Sequence, residues 1–234
     1  MFKINGGLTM YHFEYVSPNE WRPVKQNLVN ILNILQGETK NHLAFQYRFV
    51  GSSSRDMITC DKHSNIGFDF DVNIEINDIY KNYSEKDIRN IFRTKLNTVI
   101  DFLRNSHWRN AMLNYNYDYD YAEDSTRVIT IKVKDKVHSR ILHSCDFCIV
   151  RNCDDGRQQY IRFNKNQNYY SWEFQPKGYY KLQEKVEWIK NQNLWQLVRD
   201  CYLIKKNTNN SNKKSRALFA ETVHEVCQRY GYYR

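Results

Sequence analysis

The segment Gly67–Ile76, GFDFDVNIEI, constrains the fold more than any other stretch. Phe68, Phe70, Val72, Ile74 and Ile76 alternate with Asp69, Asp71, Asn73 and Glu75. A period of two sends five apolar side chains to one face of a strand and the polar set to the other. The segments around it carry helical period. Ser17-Pro18-Asn19-Glu20 supplies an N-cap, a proline at the first helical position and a capping-box glutamate. Behind it Trp21, Val24, Leu28, Ile31, Leu32 and Leu35 share one face. Ser84 and Asp87 open a second helix carrying Ile88, Ile91, Phe92, Leu96, Val99, Ile100 and Leu103. Extended runs are predicted over 44–50, 126–134, 139–150 and 157–164, and helices from Pro176 onward, interrupted by the polar loop Asn207–Ser215. The expected architecture is α+β: a mixed β-sheet with packed helices over 1–165 and a small helical C-terminal part over 166–234.

Composition narrows the class. With 41% hydrophobic and 15% aromatic residues the chain is not intrinsically disordered. No apolar run approaches the ~18 residues of a spanning helix, and the first residues lack a secretory h-region. Six cysteines without a signal read as reduced thiols, so the expectation is a soluble cytoplasmic protein with no membrane partner. Lys and Arg number 35 against 26 Asp and Glu, and between Gln175 and Arg216 ten basic residues face three acidic ones. Such a segment suits a phosphate-bearing partner, because neutralised phosphates release counterions; a solvated helix surface has the same composition.

Three features bear on chemistry. Asp69 and Asp71, at i and i+2, leave one face of the strand about 7 Å apart. They repel unless a proton or cation lies between them. Such a pair suits Mg²⁺ or Mn²⁺, and is also what an ordinary polar face looks like. Gly51-Ser52-Ser53-Ser54-Arg55 follows a predicted strand. Its glycine admits close approach of a phosphate and its hydroxyls and N–H groups can cradle one, although surface loops share this composition. Asp146, in ILHSCDFCIV, is an acid in a segment otherwise fit for burial. It needs a proton, a cation or a basic partner there.

Gly-Ser, then an acid-x-acid strand with apolar flanks, then a single acid on a later strand, resembles the polymerase-beta-like nucleotidyltransferase superfamily. FDFDVNIEI is particularly similar to the active-site strand of the cyclic GMP-AMP synthase and oligoadenylate synthetase branch and its bacterial relatives. The likeness runs from about Ala44 to Val150, and LVRDCYLIKKN with KKSRALFAETVHEVC resembles the paired C-terminal helices of that branch. The resemblance implies a nucleotidyltransferase core in which Asp69, Asp71 and Asp146 are the catalytic, metal-binding triad for Mg²⁺ or Mn²⁺. It implies that Gly51, Ser52 and Ser53 contact the phosphates of a nucleoside triphosphate such as ATP, joined by Lys205 or Lys206 and by Ser215. Tyr202 competes for the lysine position. The chain departs from the family at Ser215-Arg216, where Ser-Tyr is common, in the longer interval from Gly51 to Asp69, and in being short for a full cyclase. The implied reaction transfers a nucleoside monophosphate to a hydroxyl and releases pyrophosphate, making a cyclic or linear oligonucleotide. The alternative is a non-catalytic RNA- or DNA-binding protein using the basic C-terminal segment.

Other clusters read as structural. Asp118 and Asp120 lie among tyrosines with no glycine turn before them. Cys145 and Cys148 are three apart on a strand and so face opposite ways, a poor chelate for zinc. His138 and His143 lack helical ligand spacing, and no Gly-x-Ser-x-Gly or Walker motif is present.

Overall fold

A computed structural model describes residues 11–63, 66–76, 82–105, 117–138, 140–176, 178–211 and 213–232. The chain forms two compact units. The larger comprises Tyr15–Thr59 and Ile66–Gln175; the smaller comprises Met1–Glu14, Cys60–Asn65 and Pro176–Arg234. The elements in chain order are β1 (Glu14–Tyr15), α1 (Pro18–Thr39), β2 (Phe45–Val50), a 3₁₀ turn (Ser53–Arg55), β3 (Thr59–Cys60), β4 (Phe68–Ile76), α2 (Glu85–Asn105), β5 (Glu123–Asp124), β6 (Ile129–Asp135), β7 (Arg140–Asn152), β8 (Gln158–Asn164), β9 (Tyr169–Phe174), α3 (Gly178–Asn191), α4 (Trp195–Asn207) and α5 (Ser215–Arg229). The α+β class expected from the sequence is the one observed.

The larger unit is built on a seven-stranded mixed sheet in which β2-β4-β7-β6-β5 are neighbours and β8 pairs with β7 and β9. β4 runs parallel to β7 and antiparallel to β2. At Gly67, where β4 begins, a Cβ would run into the carbonyl oxygens of Ile141 and Leu142, so glycine is what lets the two backbones come together. Phe70 and Val72 are wholly buried and Ile74 nearly so, as the alternation requires.

The two long helices bury the stripes read from the sequence. α1 opens where expected: the Glu20 carboxylate accepts hydrogen bonds from the Ser17 N–H (3.2 Å) and hydroxyl (3.1 Å). Leu28, Ile31 and Leu32 are fully buried. At α2, the Asp87 carboxylate accepts from the Ser84 hydroxyl at 2.6 Å, and this bond together with a backbone one holds its pKa below the usual value. Phe92 of α2 meets Phe45 of β2 edge-on at 5.2 Å. Each large aliphatic side chain buried in this way contributes about 2 kcal/mol of transfer free energy.

β9 was not expected; residues 169–174 pair with β8 along its full length, from Gln159–Phe174 to Asn164–Tyr169. The expected division at 165/166 therefore falls within this hairpin, while the compact units divide after Gln175. The smaller unit is helical, with α5 packed against α3 and α4. It also includes the segment before Tyr15: the Phe13 N–H donates to the Asn207 side chain at 2.6 Å, and that side chain returns a bond to the Phe13 carbonyl at 3.0 Å. No helix among the described residues is long and apolar enough to cross a membrane.

Candidate active site

Asp71 on β4 and Asp146 on β7 are register partners across the parallel pair. Partners in adjacent strands project to the same face, and Asp69, two residues before Asp71, projects there too. Asp69 is exposed, while Asp71 and Asp146 are partly buried. Along the same face Asn73 donates to Gln158 at 3.4 Å and Glu75 pairs with Arg48 at 2.6 Å.

Asp146 is held from its other side. Thr130 on β6 is its antiparallel partner, and the Thr130 hydroxyl donates to Asp146 Oδ1 at 2.5 Å. Burial raises the Asp146 pKa above the usual carboxylate value, and the negative charge of Asp69 adds to it; the Thr130 bond and the Lys132 ammonium pull the other way. The neighbouring Cys145 faces the opposite side, fully buried, its thiol pushed well up by burial and then by the charges of Asp146, Asp71 and Asp69. The face of the sheet is thus crowded with negative charge on partly desolvated strands.

The glycine turn begins where this charge lies. Val50, the last residue of β2, is the partner of Asp71, and Gly51 follows it with φ of +67°. A Cβ at Gly51 would overlap the Asp71 carboxylate, so this position demands glycine for its conformation and for its neighbour. Ser52 leads into the 3₁₀ turn, its carbonyl accepting from the N–H groups of Arg55 (3.1 Å) and Met57 (3.0 Å). The hydroxyls of Ser53 and Ser54 are turned back to the Val50 and Gly51 carbonyls, each at 3.0 Å. Ser53 is buried, so it shapes the turn.

The remaining expected phosphate contacts belong to the smaller unit. Lys205, in the last turn of α4, pairs with Glu225 at 2.5 Å and Glu221 at 3.6 Å. Burial alone would lower its pKa, but the two carboxylates outweigh this and hold it above the ordinary lysine value. Lys206 Nζ lies 4.1 Å from the Phe13 ring centre. Ser215 is the exposed first residue of α5, and Tyr202 is buried in the helical packing. The basic run is partly neutralised from α5, where Glu221 also binds Lys213 at 2.9 Å.

The side chains read as structural are so placed. Asp118 pairs with Arg104 at 3.0 Å and Lys136 at 3.4 Å, and Asp120 with Lys134 at 2.7 Å. The Cys148 thiol is pushed up to about 11, chiefly by burial. Thr130 and Lys132 escaped the sequence reading, although hairpin pairing between the expected strands would have placed both opposite the Asp146 segment.

Three oxygen-donor carboxylates fit hard divalent cations better than softer metals. Among the described residues they do not form a one-ion cluster with all donor atoms within 4.8 Å.

No family model matches the chain, and no curated protein matches it. Solved structures do. The Vibrio cholerae enzyme DncV in its 3'-deoxy ATP-bound form superposes with a TM-score of 0.52 at 13% identity, over 90% of this chain and 52% of that one. Its GTP-bound form gives 0.52 at 14% identity, with the same coverage. A third DncV structure, described as a cyclic AMP-GMP synthase and a prokaryotic cGAS homolog, gives 0.50 at 11% identity over 78% of this chain and 45% of that one. The chain therefore has the fold of the cGAS-like bacterial nucleotidyltransferases, and spans about half the length of these DncV structures.

Proposed function

We propose that the chain is a metal-dependent nucleotidyltransferase that transfers a nucleoside monophosphate from a nucleoside triphosphate to a hydroxyl acceptor. The observation that carries this reading is the pairing of Asp71 with Asp146 across parallel strands, with Asp69 on the same face and Gly51 against Asp71. Asp69, Asp71 and Asp146 would hold Mg²⁺ or Mn²⁺. Bound there, the cations supply charge neutralisation at the reacting phosphate and lower the pKa of the attacking hydroxyl. The chain's own residues position the reactants. Gly51 keeps the backbone low beside Asp71, leaving room for a phosphate, and Ser52 offers its N–H and hydroxyl at that turn. Thr130 holds the Asp146 carboxylate from the β6 side. The acceptor oxygen forms a bond to the α-phosphorus, the bond to the bridging oxygen breaks, and pyrophosphate leaves with release of one proton. Lys206 and Ser215 are the proposed further phosphate contacts; Lys205 can serve only by exchanging its glutamate partners for phosphate.

An oligonucleotide product is the preferred outcome, because the structures sharing the fold include a cyclic AMP-GMP synthase. The test is incubation with all four labelled triphosphates and Mg²⁺ or Mn²⁺, reading pyrophosphate release and product masses. Turnover that disappears in Asp69→Ala supports the assignment. Salt-sensitive nucleic-acid binding without turnover, unchanged in Asp69→Ala, would replace it with the binding-protein reading.

A further inference from the structure

We propose that His12, Asp61 and His63 form a second metal site, selective for a borderline transition metal such as Zn²⁺ and independent of the carboxylate site. Each offers one ligand atom, and all three atoms lie within 4.8 Å of one another. The three residues come from two segments of the smaller unit, the stretch before Tyr15 and the excursion Cys60–Asn65.

The carboxylate organises the group. Asp61 is fully buried, whereas both histidines are exposed. Its Oδ2 accepts the His12 backbone N–H at 2.8 Å and its Oδ1 accepts the His63 backbone N–H at 3.0 Å. One side chain thus fixes the backbones of both residues that would carry the imidazoles, across 49 positions of sequence. A carboxylate offers about four lone-pair sites, and the two backbone bonds orient it as outer hydrogen bonds do in metal centres. The imidazole rings have centres 4.9 Å apart and are tilted at 48°, and His63 Nδ1 is 4.0 Å from Asp61 Oδ1.

Tetrahedral Zn²⁺ bonds of about 2.0–2.1 Å place ligand atoms about 3.4 Å apart. Small side-chain rotations of the two exposed histidines close that gap. Two imidazoles and one carboxylate exceed what Mg²⁺ favours and match zinc with one position left for water. The metal would clip the N-terminal segment to the 60–65 excursion, and its binding would stabilise the unit that holds both.

The full chain, stripped with chelator and kept in excess Mg²⁺ to occupy the carboxylate site, should bind one Zn²⁺. Zinc at a hundred times its Kd should raise Tm by about 5–10 °C. Co²⁺ in its place should give the intense visible bands of a tetrahedral site. His12→Ala and His63→Ala should each abolish those bands and weaken Zn²⁺ binding at least tenfold, while Asp69→Ala, which disables the carboxylate site, should leave both intact. Both histidines are exposed, so these variants test the site without removing core. Equal zinc stoichiometry and Tm shift in wild type and both histidine variants would overturn the proposal. So would histidine variants that lower Tm as much in chelator as wild type loses on zinc removal, with no Co²⁺ bands in wild type.

Discussion

Asp146 shares one register position with Asp71 on its parallel side and with Thr130 on its antiparallel side, so its carboxyl is held by one hydroxyl on a partly buried strand, where burial first and the charge of Asp69 second raise its pKa. Its folded pKa is raised, which means that the protonated form is favoured by folding. The corresponding stability is present below the unfolded carboxylate value and is lost as pH rises through the folded pKa. At neutral pH in chelator, Asp146→Asn should therefore raise Tm. Turnover should fall at least a thousandfold. A thermal melt alongside a pyrophosphate assay separates the two effects; a variant less stable than wild type at pH 7 would contradict the electrostatic account.

Gly51→Ala should be damaging out of proportion to the one methyl added. A left-handed alanine costs about 1–2 kcal/mol, and here its Cβ also displaces the Asp71 carboxylate. Misplacing a reacting group by about 1 Å costs on the order of a hundredfold in rate. Urea titration should register the first loss, and steady-state turnover the second. Near-normal turnover in this variant would place the reacting phosphate somewhere other than beside Gly51.

Arg89 sits inside α2 with its side chain 2% exposed, paired with Asp124 and donating to the carbonyls of Ser125 (2.8 Å), Val128 (3.0 Å) and Ile161 (3.3 Å). Asp124→Ala leaves that charge without its anion and should cost about 3 kcal/mol. Lys136→Ala, which removes an exposed partner of Asp118, should cost less than about 0.5 kcal/mol. Chemical denaturation of the two variants side by side measures the contrast, and equal losses would refute it.

His143 is 1% exposed, hydrogen-bonded to the Tyr119 hydroxyl at 3.0 Å, and burial lowers its pKa from 6.5 to about 4. The neutral ring stabilises the fold above the unfolded value, and that contribution is lost as pH falls from about 6.5 to about 4, on the order of 3 kcal/mol in all. His143→Gln should flatten the acid limb of the stability profile. An identical limb in the variant would show that other groups produce it.

Much of this was legible in the sequence where a strong period coincided with long elements. The strict alternation of β4, the capped stripe of α1 and the Ser84–Asp87 start of α2 are local signals, and the structure keeps them. β9 went unread although Tyr170, Trp172 and Phe174 alternate with Ser171 and Glu173, because the run is six residues long and directly precedes the helical pattern that starts at Pro176. Its Trp172 lies under Arg151 at 4.5 Å and its Phe174 under Arg157 at 3.9 Å, so the strand is stabilised by cation–aromatic contacts with residues distant in sequence. β1 and β3 have two residues each, too few to show any period. At the candidate site, the acids and the glycine turn were visible as motifs, but the pairing of Asp71 with Asp146 needed the strand register, and so did the role of Thr130. The approach of His12 to Asp61 and His63 is a product of the fold alone.

The smaller unit has one further consequence. Phe13 and Asn207 exchange two hydrogen bonds although 194 positions separate them. During synthesis the leading segment leaves the ribosome long before α4 exists to receive it, so the larger unit can close on its own strands while the smaller one waits for the last helices. A nascent chain that has emerged only as far as Gln175 would therefore carry all of the larger unit and a Phe13 backbone without its Asn207 partner.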